Sequence, residues 1–532
     1  MMAHGGRIVA EALHREGVTH LFTLCGGHIQ NIYDGCLDVG IRVVDTRHEQ
    51  TAGHAADGWA RATGQPGVCA VTAGPGVTDV VTALANAQRG GVPLVCIGGA
   101  GPVMLADRGS LQDMNHIDLV KSITKAAYRV VHTDRLAEYV STAFRVALSG
   151  VPGPVYLELP IDVLMNFADV EDFAAPSVSR TAAQPAPDPT ELARAIELFE
   201  KAERPVAIIG SQFRWSRDHK SLADLLERYP MPVYVNGMAR GALPPDHPCL
   251  FSRSRRAALA EADVVLMCGT PFDFRVDYGR TPTWNNDTKI VKVDRDATQI
   301  GHNRSVDVGL VSDTGIVLRA LARRLPAGPS ATDVIARLRQ AEVKSRAKMI
   351  PELEASTDPP NSAARAPSSI ASSTTTPWWS ATAATSWRPR PTCSRCDGPA
   401  SGWTPVPSER LAWDRAAMAA KLARPKSRLI AVYGDGSFGL HAMELEAMVR
   451  QKIPVVCVIG NDAAWTQIRR GQVEFFGAER AVATGLAYTR YDEVAKALGC
   501  HGEWVETTAG IAHALARIRE RASAIRCPPW ST

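Results

Sequence analysis

Two short polar segments near the carboxyl terminus each follow an apolar run, and their residue types could bind a metal ion and a phosphate group. Gly-Asp-Gly-Ser at 434–437 follows the run 429–433, and Asn-Asp at 461–462 follows the run 453–460. Because ligands bind at the carboxyl edge of an open α/β sheet, we expect both segments to lie at that edge. Glycines let the backbone approach a diphosphate, and carboxylate oxygens are ligands that Mg²⁺ prefers. The sequence therefore predicts a magnesium and diphosphate site formed by Gly434, Asp435, Gly436, Ser437 and Asp462.

The same glycines also fit the letter pattern of a dinucleotide-binding loop, Gly434-x-Gly436-x-x-Gly439. The aspartate between the first two glycines points to a metal ion instead. Asp462 comes late for an acid that binds a ribose, and it is preceded by Asn461. A nicotinamide-dependent dehydrogenase is therefore the less favoured interpretation.

Several segments nearer the amino terminus extend the pattern. They are Gly-Gly-His at 26–28, His-Glu-Gln at 48–50, Ala-Gly-Pro-Gly at 73–76 and Gly-Pro-Val-Tyr-Leu-Glu-Leu-Pro at 153–160. Together with Gly-Asp-Gly, a helix predicted from His441 to Arg450, and Asn-Asp, they resemble the thiamine diphosphate-dependent enzyme superfamily over nearly the whole chain. Within it, the chain looks most similar to the acetolactate synthase-like branch, which includes a 2-hydroxyacyl-CoA lyase.

The resemblance implies thiamine diphosphate and Mg²⁺ as cofactors. Glu49 would hydrogen-bond to the aminopyrimidine ring and move the proton that activates the cofactor. A mostly apolar pocket would raise the pKa of this carboxyl toward the range useful for general acid–base catalysis. Asp435, Asp462 and the backbone carbonyl of Ala464 would bind the metal ion. The other implied site residues are Gly26 as a cofactor-binding residue, and His48 and Gln112 as catalytic residues.

Histidines near these motifs allow further interpretations. His48-Glu49 begins like the zinc motif His-Glu-x-x-His, but His54 comes two positions too late for it. The two histidines of that motif must lie four residues apart on one helix face, so we exclude zinc there. His28 and His116 are further candidates for proton transfer, although we expect each to be a polar loop residue.

Composition limits the class of protein. The chain has 532 residues, of which 45% are hydrophobic and 21% charged, with a net charge of +4. These values are typical of a soluble globular protein and give no signature of nucleic-acid or membrane binding. No stretch approaches the roughly 20 apolar residues that span a bilayer. Eleven scattered cysteines favour a reducing compartment, and we expect a cytoplasmic protein.

Alternating strand and helix patterns predict an α/β fold with three doubly wound parallel-sheet domains. By resemblance these are a pyrimidine-binding domain at 1–165, a central Rossmann-like domain at 186–325 and a diphosphate- and metal-binding domain at 355–532. In the family the first and third domains of different subunits share each active site, which implies a homodimer or homotetramer. The central domain could hold FAD or an ADP or CoA moiety. Four arginines could bind such a phosphate-rich ligand or form a solvated basic face: Arg214, Arg253, Arg255 and Arg256.

Residues 363–416 do not have a globular pattern. Ser, Thr, Ala and Pro dominate, and five of the eleven tryptophans fall there. Back-translation in a shifted reading frame can restore segments like those of the family, and the same holds for residues 525–532. We therefore predict a frameshift that removes a strand and a glycine loop of the third domain. A natural Ser/Thr/Pro-rich insertion is the alternative.

Three functions follow from these observations. The first is an acetolactate synthase-type enzyme, which decarboxylates a 2-oxo acid and joins the remainder to a second carbonyl compound. The second keeps the cofactor but cleaves a 2-hydroxyacyl-CoA. The third is an inactive remnant, because the shifted segment would contact the cofactor. The sequence does not choose the substrate.

Overall fold

The computed structural model describes residues 2–169, 180–181, 183–327, 332–348, 378–381, 413–507, 510–511 and 513–518. Their strands form three parallel sheets with helices packed against them, together with one two-stranded antiparallel pair. The α/β fold predicted from the sequence is thus confirmed. In the described part of the chain, no helix is both long and apolar enough to cross a membrane.

The first sheet carries the segment around Glu49. Numbered along the chain, the strands of this part are β1 Met2–His4, β2 His20–Thr23, β3 Arg42–Asp45, β4 Gly67–Val71, β5 Leu94–Ala100, β6 Ala126–Arg129, β7 Pro154–Pro160 and β8 Phe167–Asp169. The sheet pairs in parallel in the order β3-β2-β4-β5-β7-β6, and β1 and β8 form the antiparallel pair. The helices are α1 Gly5–Arg15, α2 Gln30–Val39, α3 Glu49–Thr63, α4 Pro75–Gly90, α5 His116–Val120, α6 Leu136–Leu148 and α7 Ile161–Met165. Strands β4, β5 and β7 are buried throughout, as expected for a parallel sheet covered on both faces.

The second sheet belongs to the middle of the chain and also has six parallel strands. They are β9 Pro205–Ile209, β10 Val233–Val235, β11 Leu250–Phe251, β12 Val264–Cys268, β13 Lys289–Asp294 and β14 Val308–Val311, in the order β11-β10-β9-β12-β13-β14. The helices are α8 Pro189–Glu200, α9 Ser221–Arg228, α10 Arg255–Glu261, α11 Thr314–Arg324 and α12 Thr332–Ala347. Apolar side chains on both faces of this sheet form separate clusters, so the middle of the chain has its own core.

The third sheet carries the predicted metal-binding segments. Its described strands are β15 Trp378–Ala381, β16 Leu429–Gly434 and β17 Val456–Gly460, all parallel in that order. The helices are α13 Trp413–Ala423, α14 Asp435–Gly439, α15 Glu444–Arg450, α16 Thr466–Phe476 and α17 Tyr491–Ala497. The helix that we predicted from His441 begins at Glu444, because residues 438–444 form a turn closed by two backbone hydrogen bonds.

Strand β15 corrects one expectation. We predicted that the shifted segment removes a central strand, yet Trp378 to Ala381 pair in parallel with Leu429 to Val432. A ladder forms between backbone groups, which almost any sequence supplies, and tryptophan favours strands. Residues 363–377, 382–412 and 525–532 lie outside the described residues, so the frameshift itself stays a prediction. So do the domain boundaries.

Helix α13 joins the third sheet to the first. It packs against α3, where a Cβ added to Gly58 would lie 2.6 Å from the Ala416 Cα, so only glycine allows this approach. The two sheets share one apolar cluster. On the surface, the Arg450 guanidinium donates to both carboxylate oxygens of Asp45, at 2.9 and 2.6 Å. The two parts of the chain that carry the predicted site are therefore packed together.

Candidate functional site

The two predicted metal-binding segments lie side by side. Gly434, the last residue of β16, pairs in register with Gly460, the last residue of β17. The next residues along these strands lead directly to Asp435 and Asp462, so both aspartates follow the same edge of the sheet. Asp435 is only 1% exposed. This placement agrees with the rule that the carboxyl ends of parallel strands form the binding edge.

Three carboxylate oxygens at this edge lack hydrogen-bond partners among the described residues. Both carboxylate oxygens of Asp435 and Oδ1 of Asp462 are buried without a partner in the described residues. Burial, and then the charge of Asp462, raise the pKa of Asp435 to about 6. Backbone amides of Gly436, Asp435 and Ala464 oppose this rise, although none makes a hydrogen bond of normal geometry to the carboxyl.

Buried carboxylates without donors are unfavourable unless a cation neutralises them. The donor set here consists of hard oxygens, which suits Mg²⁺. These residues therefore fit a divalent cation.

The loop after β17 is held in a strained shape. Ala463 has φ 53°, in the left-handed region that a residue with a Cβ rarely adopts. The Asn461 side chain supports the loop: its Nδ2 donates to the Thr489 carbonyl at 2.9 Å, and its Oδ1 accepts from the Ala463 N–H at 3.3 Å. Ala464, the predicted backbone ligand, forms an antiparallel bridge with Gly485. Strain of this kind clusters at functional sites.

The segment 434–437 makes a packing contact that was not predicted from the sequence. A Cβ on Gly436 would lie 2.8 Å from the Trp465 ring, so a side chain there would collide with the indole. The Ser437 hydroxyl donates to the Gly434 carbonyl at 3.0 Å, within the short helix α14. Trp465 is therefore a neighbour of the site that we missed, because its contact depends on the turn after β17.

Glu49 begins α3 and is 9% exposed. Burial is the main cause of its raised pKa; its own backbone amide lowers it, Asp79 raises it and His48 lowers it. His48 is the N-cap of the helix, where its Nδ1 accepts the Gln50 N–H at 3.1 Å. The raised pKa has the direction predicted for a general acid–base group.

Asp79 was not predicted from the sequence. One ligand atom from each of His48, Glu49 and Asp79 lies within 4.8 Å of the others. Asp79 lies on α4, one turn after the Gly-Pro-Gly segment, and only the packing of α4 against α3 reveals its proximity to Glu49. His54, the second histidine of the rejected zinc pattern, does not belong to this group.

The Glu49 and Asp435 groups are connected within the chain. The His48 ring lies 5.4 Å from the His441 ring, which belongs to the turn between α14 and α15. The Arg47 N–H donates to the Glu444 carboxylate at 3.0 Å. These contacts join the start of α3 to the segment that follows Asp435.

Two histidines correct our expectation of polar loop residues. His28 is 6% exposed, and its Nδ1 lies 3.1 Å from the Thr72 hydroxyl. His116 is fully buried, 2.7 Å from the Glu158 carboxylate. Both are buried because each finds a polar partner. Glu158 inside the apolar run 154–160 was the sequence signal that could have revealed the second pair.

Gly26 and Gln112 lie close to the same segments. A Cβ on Gly26 would lie 2.3 Å from the Thr72 Cβ, so the chain requires glycine there. Gln112 has φ 58° and covers Gly74, whose added Cβ would lie 2.9 Å from the Gln112 carbonyl oxygen. The predicted residues of the first sheet are thus grouped around the turn 72–76.

The arginines of the middle of the chain are mostly engaged in protein contacts. Arg214 donates to the Arg61 carbonyl at 2.9 and 3.0 Å, which connects the second sheet to the first. Arg255 donates to Asn236 Oδ1 at 3.1 Å and to the Arg275 carbonyl at 2.6 Å, while Arg256 is exposed. Neither Arg214 nor Arg255 belongs to a solvated basic face.

Comparisons with known proteins cover nearly the whole chain. Residues 3–119 match the model of the thiamine pyrophosphate enzyme N-terminal TPP binding domain, residues 192–321 that of the central domain, and residues 415–527 that of the C-terminal TPP binding domain. A probable acetolactate synthase of Mycobacterium bovis is 36% identical over 526 residues, which cover 97% of this chain and 93% of the relative. A 2-hydroxyacyl-CoA lyase 2 of Bos taurus is 36% identical over 554 residues, covering 94% and 84% respectively. Both the family models and these relatives show that the chain belongs to the thiamine pyrophosphate enzyme family.

Proposed function

We propose that the chain is a Mg²⁺- and thiamine diphosphate-dependent enzyme of acetolactate synthase type that acts on 2-oxo acids. The observation that carries this proposal is the set of buried carboxylate oxygens without partners at the ends of β16 and β17. A cation bound there would neutralise Asp435 and Asp462 and attract a diphosphate. The relative named as an acetolactate synthase supports the reaction type.

In this proposal Asp435, Asp462 and the Ala464 carbonyl bind the metal ion. Gly434, Gly436 and Ser437 form the adjoining diphosphate-binding segment. Thiamine diphosphate, when bound, supplies a thiazolium carbon that becomes nucleophilic after losing its proton. Glu49 would exchange a proton with the aminopyrimidine when the cofactor is bound, a role that its burial and raised pKa favour. His48, Gln112 and Gly26 line the same region and orient the reacting groups.

The experiment that tests the metal site is calorimetry of thiamine diphosphate binding with and without Mg²⁺. Asp435→Ala and Asp462→Ala should each abolish metal-dependent binding, because each removes a ligand from a rigid strand end. Asp287→Ala is the matched control, since Asp287 is exposed in the middle of the chain. Unchanged affinity in Asp435→Ala would refute the assignment.

A second candidate function is cleavage of a 2-hydroxyacyl-CoA. Two observations favour it. Asp462 follows Asn461, where the resemblance leads one to expect a second asparagine. The Bos taurus relative named 2-hydroxyacyl-CoA lyase 2 is 36% identical, as is the Mycobacterium bovis relative named a probable acetolactate synthase. Parallel assays with a 2-oxo acid and with a 2-hydroxyacyl-CoA separate the two. Activity with either substrate that appears only after the reading frame is restored would favour the inactive remnant.

We also propose that subunits share active sites in a homodimer or homotetramer, with a small molecule as substrate. Mixing Glu49→Gln and Asp435→Ala subunits tests this arrangement. If each site takes Glu49 from one subunit and Asp435 from its partner, mixed dimers regain one intact site, and about a quarter of the parent activity returns. If each site lies within one subunit, none returns. A cytoplasmic location, Mg²⁺ and a central FAD, ADP or CoA moiety remain predictions.

A further inference from the structure

A buried polar network connects β7 to the turn that begins α4. Glu158 lies within the buried strand β7 and is 1% exposed. Its Oε2 is 2.7 Å from His116 Nδ1, and its Oε1 is 3.4 Å from the Arg129 guanidinium on the neighbouring strand β6. A carboxylate in the interior of a parallel sheet is unfavourable without such partners. The network therefore explains why a charged residue is tolerated in this strand.

The hydrogen bonds determine the proton position on His116. The Gly74 backbone N–H donates to His116 Nε2 at 2.8 Å. A backbone N–H can only donate, so Nε2 must be the acceptor and carry no proton. The ring proton then lies on Nδ1, where it is donated to Glu158. Glu158 thus selects the one tautomer of His116 that can accept the Gly74 N–H.

Gly74 has a backbone conformation that favours glycine. It has φ 62° and ψ −112°, a conformation that residues with a Cβ rarely adopt, and it precedes the first turn of α4. The Gln112 backbone covers it closely. Two residues further on, a Cβ on Gly76 would lie 3.6 Å from Glu49 Oε1. The turn 74–76 thus lies beside both the Gln112 loop and the Glu49 carboxyl.

We propose that His116 is a positioning residue, which holds the turn 74–76 against Glu49 and the Gln112 loop by accepting the Gly74 N–H. Glu158 assists by keeping the imidazole in the required tautomer, and Arg129 by balancing the charge of Glu158. This inference rests on the proposed role of Glu49 in proton transfer. His116 itself contacts no reacting group in this assignment.

Two variants test the two hydrogen bonds of the His116 imidazole one at a time: the bond accepted from Gly74 and the bond donated to Glu158. In His116→Gln, the side-chain amide reaches the former Nε2 position and can still accept the Gly74 N–H. In His116→Asn, the shorter amide can still donate to Glu158 but leaves Gly74 without an acceptor. Each variant loses one hydrogen bond. A merely structural role predicts an effect in His116→Gln at least as large as in His116→Asn, because His116→Gln leaves the buried Glu158 carboxylate without its donor.

The first readout is amide hydrogen exchange in the full chain without ligand. Exchange at Gly74 should become about tenfold faster in His116→Asn and stay near the parent rate in His116→Gln. The second is deuterium uptake at the thiazolium C2 of bound thiamine diphosphate. Because small displacements of catalytic groups cost up to about a hundredfold in rate, uptake should slow by about ten- to a hundredfold in His116→Asn only.

Equal behaviour of the two variants in both readouts would overturn the proposal. A measurement on the parent protein guards against a variant that does not fold. Nitrogen-15 spectra of labelled histidine should show His116 protonated at Nδ1, and a proton at Nε2 would contradict the assignment. Glu49→Gln distinguishes failure of the proposed function from failure of this inference. If Glu49→Gln leaves C2 exchange unchanged, the proposed function fails. The amide exchange at Gly74 still decides whether His116 holds the turn.

Discussion

Asp435→Asn should stabilise the metal-free protein at neutral pH. Burial and the charge of Asp462 raise the pKa of Asp435 from its ordinary 3.8 to about 6. The folded chain therefore binds this proton more tightly than the unfolded chain, so the free energy of unfolding falls as the pH rises through these values. Each tenfold difference in proton affinity is worth about 1.4 kcal/mol, which gives about 3 kcal/mol for this shift. The asparagine removes this penalty.

The assay is urea unfolding in the presence of a metal chelator, for parent and variant, at pH values on either side of the shift. The variant should gain about 2–3 kcal/mol near neutral pH. It should gain almost nothing near pH 3, where the Asp435 carboxyl is largely protonated in both the folded and the unfolded chain. Addition of Mg²⁺ and thiamine diphosphate should then stabilise the parent but not the variant.

Asp57→Asn is the matched control, because Asp57 is also buried but has partners. Its carboxylate accepts from Asn86 at 2.9 Å and from Arg61 at 3.0 Å. The same substitution there leaves a buried guanidinium without its partner charge and should destabilise the protein by about 3 kcal/mol or more. If Asp435→Asn also destabilised the metal-free protein near neutral pH, Asp435 would have a native partner, and the reasoning from orphaned oxygens would be refuted.

Three further outcomes follow. Glu49→Gln should abolish turnover while calorimetry shows thiamine diphosphate still bound, since the carboxyl moves a proton and contributes little to diphosphate affinity; activity within a few-fold of the parent would remove Glu49 from this role. Arg450→Leu should lower the free energy of unfolding by only about 0.5–1 kcal/mol, because its pair with Asp45 is exposed; a urea-measured loss several times larger would mean that this pair holds the two sheets together. Restoring the frame across 363–416 should raise activity and protease resistance, and equal behaviour of both proteins would show the segment to be a genuine insertion.

The family and the fold class could be predicted from the amino-acid sequence, which also placed Asp435 and Asp462 at one edge of a sheet. Those conclusions need only local information. Apolar runs followed by glycine and acid mark the ends of parallel strands, and such ends meet at one edge whatever the helices between them do. That is why Asp435 and Asp462 could be paired from the order of residues alone. The predicted start of a helix at His441 was wrong, because the first residue of a helix depends on the conformation of a single turn.

Which polar groups are hydrogen-bond partners depends on the packing of elements that are distant in the chain. His116 and Glu158 lie 42 residues apart in the chain, and their contact exists because α5 packs at the edge of β7. The same holds for Asp79 beside Glu49 and for Trp465 against Gly436. Periodicity along the chain reports which face of an element is buried, but it does not report what covers that face. Burial without a partner, the observation on which the proposed metal site rests, is therefore a property of the packed molecule alone.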